Sequence, residues 1–149
     1  MKLFILILIL AIFLQTTLVP LDLCLMLLIC RSFIVNEKVN YYLAFFSGVF
    51  LGLLASTNLG FFALFFLIVV KLNTFFKKTA LTANFLSILP VAFLILLSQS
   101  FFEKILFNQA INLNRILIEV ILILPIYFLV RFWEERFIVR PGIRLKISR

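Results

Sequence analysis

The stretch GVFLGLLASTNLGFFAL, residues 48–64, decides how this chain folds. It lies inside YYLAFFSGVFLGLLASTNLGFFALFFLIVV, residues 41–70, which contains no charge. Taken as one helix, the apolar run 39–76 would be about 57 Å long at 1.5 Å per residue. Crossing about 30 Å of hydrocarbon needs only about 20 residues. STNLG, residues 56–60, is the only cluster of turn formers in the run. Asn58 tolerates left-handed backbone and Gly60 adopts it freely. The reading is therefore two helices, 39–56 and 60–76, joined by a tight turn.

Composition leads to the same class. The chain has 149 residues, 65% of them hydrophobic and 13% charged, and its mean hydropathy is +1.26. A soluble domain is nearer half apolar and about a quarter charged. A small protein cannot bury that excess, because much of its chain surface stays near water. The expected class is an all-α integral membrane protein, a single transmembrane domain over 1–149.

The remaining spans follow from the same length test. Residues 3–35 are too long for one helix and are broken by Pro20 and Asp22, so helices are predicted over 3–18 and 20–35. No A-x-A cleavage pattern follows the apolar start, so the first segment is read as a retained helix rather than a signal peptide. The fifth helix is predicted over 80–101 with Pro90 inside it, a residue that usually kinks a membrane helix. EKILFNQAINLN, residues 103–114, reads as an interfacial segment. The sixth helix is predicted over 115–133, followed by a basic cytoplasmic tail, 134–149.

Six spans put both termini on one side. Twelve of the 14 Lys and Arg then share that side, with only Lys104 and Arg115 opposite. This excess of cations identifies the cytoplasmic side. The net charge of +8 is accounted for by this bias and by attraction to anionic lipid heads, without nucleic acid. Arg31 and Lys71, near the cytoplasmic ends, are expected to snorkel.

Few residues carry chemistry. Histidine is absent, which removes the commonest metal ligand and general base. Cys24 and Cys30 point in different directions on a helix and read as small apolar filler. Neither a metal nor another cofactor is expected. Gln15, Asp22, Asn58, Gln99, Arg115 and Glu119 all map to the outer third. Asp22 suits a helix N-terminus, where the dipole favours an acid, and Glu119 can pair with Arg115 at i,i+4. As a carboxylate pair, Asp22 and Glu119 would motivate a lipid-modifying enzyme, but their spacing selects no reaction. Gly48 and Gly52 form GxxxG, and Ala55 and Ser56 continue the small face. Such a face packs against a neighbouring helix of the same chain or builds a homodimer or partner interface.

VPLDLCLMLLIC, residues 19–30, and GVFLGLLASTNLGFFAL, residues 48–64, together resemble MreD, the rod-shape-determining membrane protein family of bacteria. Gly48, Gly52, Asn58 and Gly60 match its motif by position. The Asp that usually follows Gly-Leu-Leu in the family is missing here, where the chain reads Ala55-Ser56-Thr57-Asn58 with a shorter turn. The resemblance implies a non-enzymatic scaffold of the cell-elongation machinery in the bacterial plasma membrane. It implies binding to the bitopic protein MreC, and with it to a SEDS glycosyltransferase, a class B penicillin-binding protein and actin-like MreB filaments. It also implies a fold similar to the substrate-binding subunits of ECF transporters, which raises the competing expectation of a subunit that captures a small molecule.

Overall fold

A computed structural model of the chain describes residues 2–18, 21–35, 38–55, 60–78, 87–107 and 112–137. Its described residues form six helices and no strand: α1 (Lys2–Thr17), α2 (Leu23–Ile34), α3 (Val39–Leu54), α4 (Phe61–Lys78), α5 (Ile88–Phe107) and α6 (Leu113–Phe137). The run around residues 48–64 is thus two helices, α3 and α4.

Helix α2 is the axle of the bundle and touches each of the other five helices. Its sequence, LCLMLLICRSFI, is apolar nearly all round, the pattern of a fully enclosed helix. Ten of its 12 residues, Cys24 to Phe33, are buried. Both cysteines are free thiols within this core, and the Cys30 thiol contacts the Ile123 carbonyl of α6. At about 18 Å long, α2 is too short to cross hydrocarbon alone.

At Gly48, α3 packs directly on the backbone of α4. A Cβ built on Gly48 would lie 2.5 Å from the Ala63 Cα and 2.6 Å from its nitrogen. Only a residue without a side chain lets the two backbones meet there. Gly52 is buried on the same helix. Of the two uses foreseen for the GxxxG face, Gly48 serves packing within the chain.

The helices alternate in direction. One end of the bundle gathers the last turns of α1, α3 and α5, the first turns of α4 and α6, and the residues just before α2, all around one cleft. The opposite end gathers the start of α1 and α3 and the end of α2, α4 and α6.

Helix α6 is patterned inside out relative to a soluble helix. Ile116, Glu119, Ile123, Tyr127, Val130 and Glu134 form its buried stripe, at spacings of three and four. Its exposed face between them carries Leu117, Ile118, Ile121, Phe128 and Leu129. A soluble helix turns its charges outward; this one turns two glutamates inward and large apolar side chains outward, its exposed arginines, Arg131 and Arg136, lying near its last turns. Among the described residues two helical stretches, Ile88–Leu106 and Leu113–Glu134, are long and apolar enough to cross a membrane, while those of α1 to α3 are apolar but shorter.

Three boundaries differ most from expectation. The helix expected over 80–101 is described from Ile88, and residues 80–86 lie outside the described residues. Pro90 is therefore the third residue of α5, where a helix N–H has no acceptor to lose. The helix also continues to Phe107, so 103–107 are its last turns rather than an interfacial segment. Finally, α6 runs to Phe137 and takes in Glu134, which had been assigned to the basic tail. Inward pairing of Glu134 makes this extra turn part of the core.

Candidate functional site

At the Asp22 end, four helices converge on one hydrogen-bonded set. Gln15, in the last turn of α1, donates from Nε2 to Asp22 Oδ1 at 2.8 Å. Its Oε1 accepts the Cys24 N–H at 3.2 Å, satisfying a donor of the first turn of α2. Asp22 occupies the N-cap position of α2, but its side chain makes no cap hydrogen bond. Its carboxylate goes instead to Gln15 and to Arg115, whose Nη2 donates to Oδ2 at 2.8 Å. The helix dipole alone therefore does not explain this acid; a guanidinium from α6 holds it.

Arg115 is the hub. Its Nε donates to Glu119 Oε1 at 2.9 Å, the expected i,i+4 pair. Glu119 is 2% exposed and also accepts the Asp22 backbone N–H at 3.1 Å. Two carboxylates thus share one guanidinium, and α2 and α6 are fastened at this end. On α5, Gln99 donates from Nε2 to Glu103 Oε1 at 2.8 Å. Gln99 is 1% exposed, and its Oε1 is buried without a hydrogen-bond partner among the described residues.

Four of these residues border a cleft of about 400 Å³. Gln15, Asp22, Glu103 and Arg115 give it a polar wall; Leu51, Leu54 and Phe62 give it an apolar one. Ala55, the C-cap of α3, lines it too. Of the small-residue set, Gly48 and Gly52 are buried in α3 away from this lining, and Gly60 is exposed with open space around it. Ser56 and Asn58 lie outside the described residues. The structure thus brings together Asp22, Gln99, Arg115 and Glu119. It adds Glu103, which the expected interfacial segment had set apart. The signal for it was the i,i+4 spacing from Gln99 along a continuous helix.

A second polar set occupies the opposite end, and sequence reasoning missed it. Arg31, in the last turn of α2, is 1% exposed and donates from Nε to Glu134 of α6 at 3.0 Å. It also donates to the Asn40 side chain of α3 and stacks over the Phe4 ring of α1 at 4.8 Å. Arg31 is therefore an enclosed ion-pair partner and does not snorkel, because Glu134 turns inward to meet it; Lys71 is exposed. On α4, Asn73 donates to Ser32 Oγ at 2.8 Å, and Lys77 donates to the Ile34 carbonyl at 2.8 Å. No sequence pattern could pair residues 31 and 134, which lie on different helices.

Chemically, the Asp22 end offers hydrogen-bond acceptors. Three carboxylates and two amides meet one guanidinium, and Asp22 and Glu119 are already engaged with it. Among the described residues no group of three or more Cys, Asp or Glu is placed to hold a metal ion. No protein-family model, curated protein or solved structure matches the chain.

Proposed function

We propose that the chain is a multi-pass protein of the bacterial plasma membrane, with both termini cytoplasmic and all six helices within the bilayer thickness. The observation that carries this reading is the inside-out patterning of α6. Its glutamates, Glu119 and Glu134, are paired with Arg115 and Arg31, while the exposed face from Leu117 to Leu129 is apolar and its exposed arginines, Arg131 and Arg136, stand near its last turns. In lipid that arrangement satisfies both surfaces; in water it would leave a broad apolar face exposed. Short helices such as α1 to α3 are accommodated by enclosure and local thinning of the bilayer.

Within that class, we read the protein as a non-enzymatic scaffold of the cell-elongation machinery, with an MreC-like bitopic protein as its partner. The MreD-like sequence pattern supports this assignment. So does the placement of the described charges, which leaves apolar helix faces as the main surface for contact. Wall-synthesis enzymes of the SEDS and class B penicillin-binding types would join through that partner. Affinity purification of the tagged protein from its native host, in mild detergent, tests it. Recovery of a bitopic, coiled-coil partner with wall-synthesis enzymes is expected. Repeated recovery of an ATPase module alone would replace the scaffold with the second reading.

That second reading is a small-molecule-binding subunit of an ECF-type transporter. The cleft at the Asp22 end, with polar groups on one wall and apolar groups on the other, favours it.

A further inference from the structure

A groove of about 320 Å³ runs between α4 and α5 at the surface of the bundle. It exists because α5 leans on α6 and hardly touches α4. Along α4 it extends from Phe61 to Leu72, about 16 Å at 1.5 Å per residue. Its wall is apolar. Ser98 is the one hydroxyl in it, and its Oγ donates to the Ile95 carbonyl at 2.7 Å. At the Asp22 end the rings of Phe61, Phe65 and Phe102 bridge the two helices, with centroids 6.1 to 6.2 Å apart. Toward the other end stands a charge. Lys71 lies three residues past Ile68, on the exposed face of α4 that also carries Leu64 and Ile68. Both of those line the groove. Lys71 is exposed, and among the described residues no carboxylate pairs with it.

We propose that this groove holds one acyl chain of an anionic phospholipid, with the Lys71 ammonium on its phosphate. Size selects the occupant. Spread over about 16 Å, 320 Å³ leaves a cross-section of roughly 20 Å², the width of a single hydrocarbon chain. A helix with its side chains is about 10–12 Å across and spans the full ~30 Å of hydrocarbon. The groove is too narrow for one and about half as long, whereas an acyl chain is as long as one leaflet is deep. A gap in a closely packed protein leaves both walls without contacts unless something fills it, and a chain of methylenes fills it without asking for a hydrogen bond. Charge selects the headgroup. A basic side chain near the membrane surface favours anionic lipid, and the aliphatic stem of Lys71 carries its ammonium away from the apolar face. The proposal rests on the multi-pass reading above and is independent of the scaffold and transporter readings.

The test uses the full chain extracted in detergent, with native mass spectrometry after incubation with phosphatidylglycerol and phosphatidylcholine of matched chains. Retention of one phosphatidylglycerol per chain, in preference to phosphatidylcholine, is expected. Lys71→Gln should lower that preference about fivefold, the equivalent of about 1 kcal/mol per basic residue at the membrane surface. Ser98→Phe, which fills the groove, should lower retention of both lipids. If Ser98→Phe does not fold, chain length decides on the unaltered protein: short-chain phosphatidylglycerol should be lost where the long-chain form is kept. No retained lipid, equal retention of the two headgroups, equal retention of short and long chains, or a preference that Lys71→Gln leaves unchanged would each overturn it. So would retention unaltered in a folded Ser98→Phe variant, or a lipid-free dimer that Ser98→Phe breaks, which would assign the groove to a second copy. A chain recovered soluble without detergent would overturn the multi-pass reading and the proposal with it, a failure distinct from the others.

Discussion

At the scale of the residue, Gly48 shows how little space the fold leaves. The Ala63 backbone occupies the place a methyl group would need, and backbone can yield only if α3 and α4 move apart. Gly48→Ala is expected to destabilise the bundle by about 1–3 kcal/mol, the usual cost of overpacking. Gly60→Ala meets no atom within 4 Å and serves as the comparison. Unfolding in a detergent–denaturant titration would check the pair; equal midpoints would remove the close-contact account. Gly48 was legible as a packing residue, because GxxxG in an apolar segment has a known use. Which surface it packs on was not, since the same spacing serves a neighbouring helix or a second molecule. Glu103 was hidden for another reason: the mixed polarity of 103–114 masked the continuity of α5.

At the scale of the element, α2 and α6 are joined at both ends, by Arg115 with Asp22 and by Arg31 with Glu134. The second pair is the more enclosed, its side chains 1% and 8% exposed. Removing one member leaves a charge where solvent cannot reach it. Arg31→Ala is therefore expected to cost about 3–5 kcal/mol, whereas replacing both members, Arg31→Met with Glu134→Leu, should cost far less. Stability of the single and double variants checks this. Additive losses would mean that the two residues act separately. The helices themselves were largely legible from apolar run lengths, with ends displaced by a few residues. Pro90 illustrates the limit. Its presence was plain, but its effect depended on whether it stood mid-helix or in a first turn.

At the scale of the whole molecule, the alternation of the six helices puts the Asp22 cleft and the Arg31 network at opposite ends. With the cytoplasm at the Arg31 end, Lys38 is exposed there and Gly60 is exposed at the Asp22 end. In a variant with Cys24 and Cys30 replaced by Ala, a membrane-impermeant maleimide should label Gly60→Cys in intact cells. It should label Lys38→Cys only after permeabilisation. The reverse pattern would invert the orientation, and labelling of both in intact cells would remove the multi-pass reading.

The sequence by itself determined the helical class, the number of helices and the two-helix reading of residues 48–64. Run length, turn formers and charge distribution are local quantities, and each constrains the backbone without reference to other segments. The tertiary structure alone decided which polar residues meet. Arg115 was visible as a partner for Glu119 because four residues on a helix are one turn. Its bond to Asp22, the enclosure of Arg31 by Glu134, and the meeting of Glu103 with Asp22 and Arg115 at one cleft depend on which helices become neighbours. That choice is made by packing, with Gly48 against Ala63 and α2 at the centre, and packing energy is spread over many apolar contacts that no single motif records.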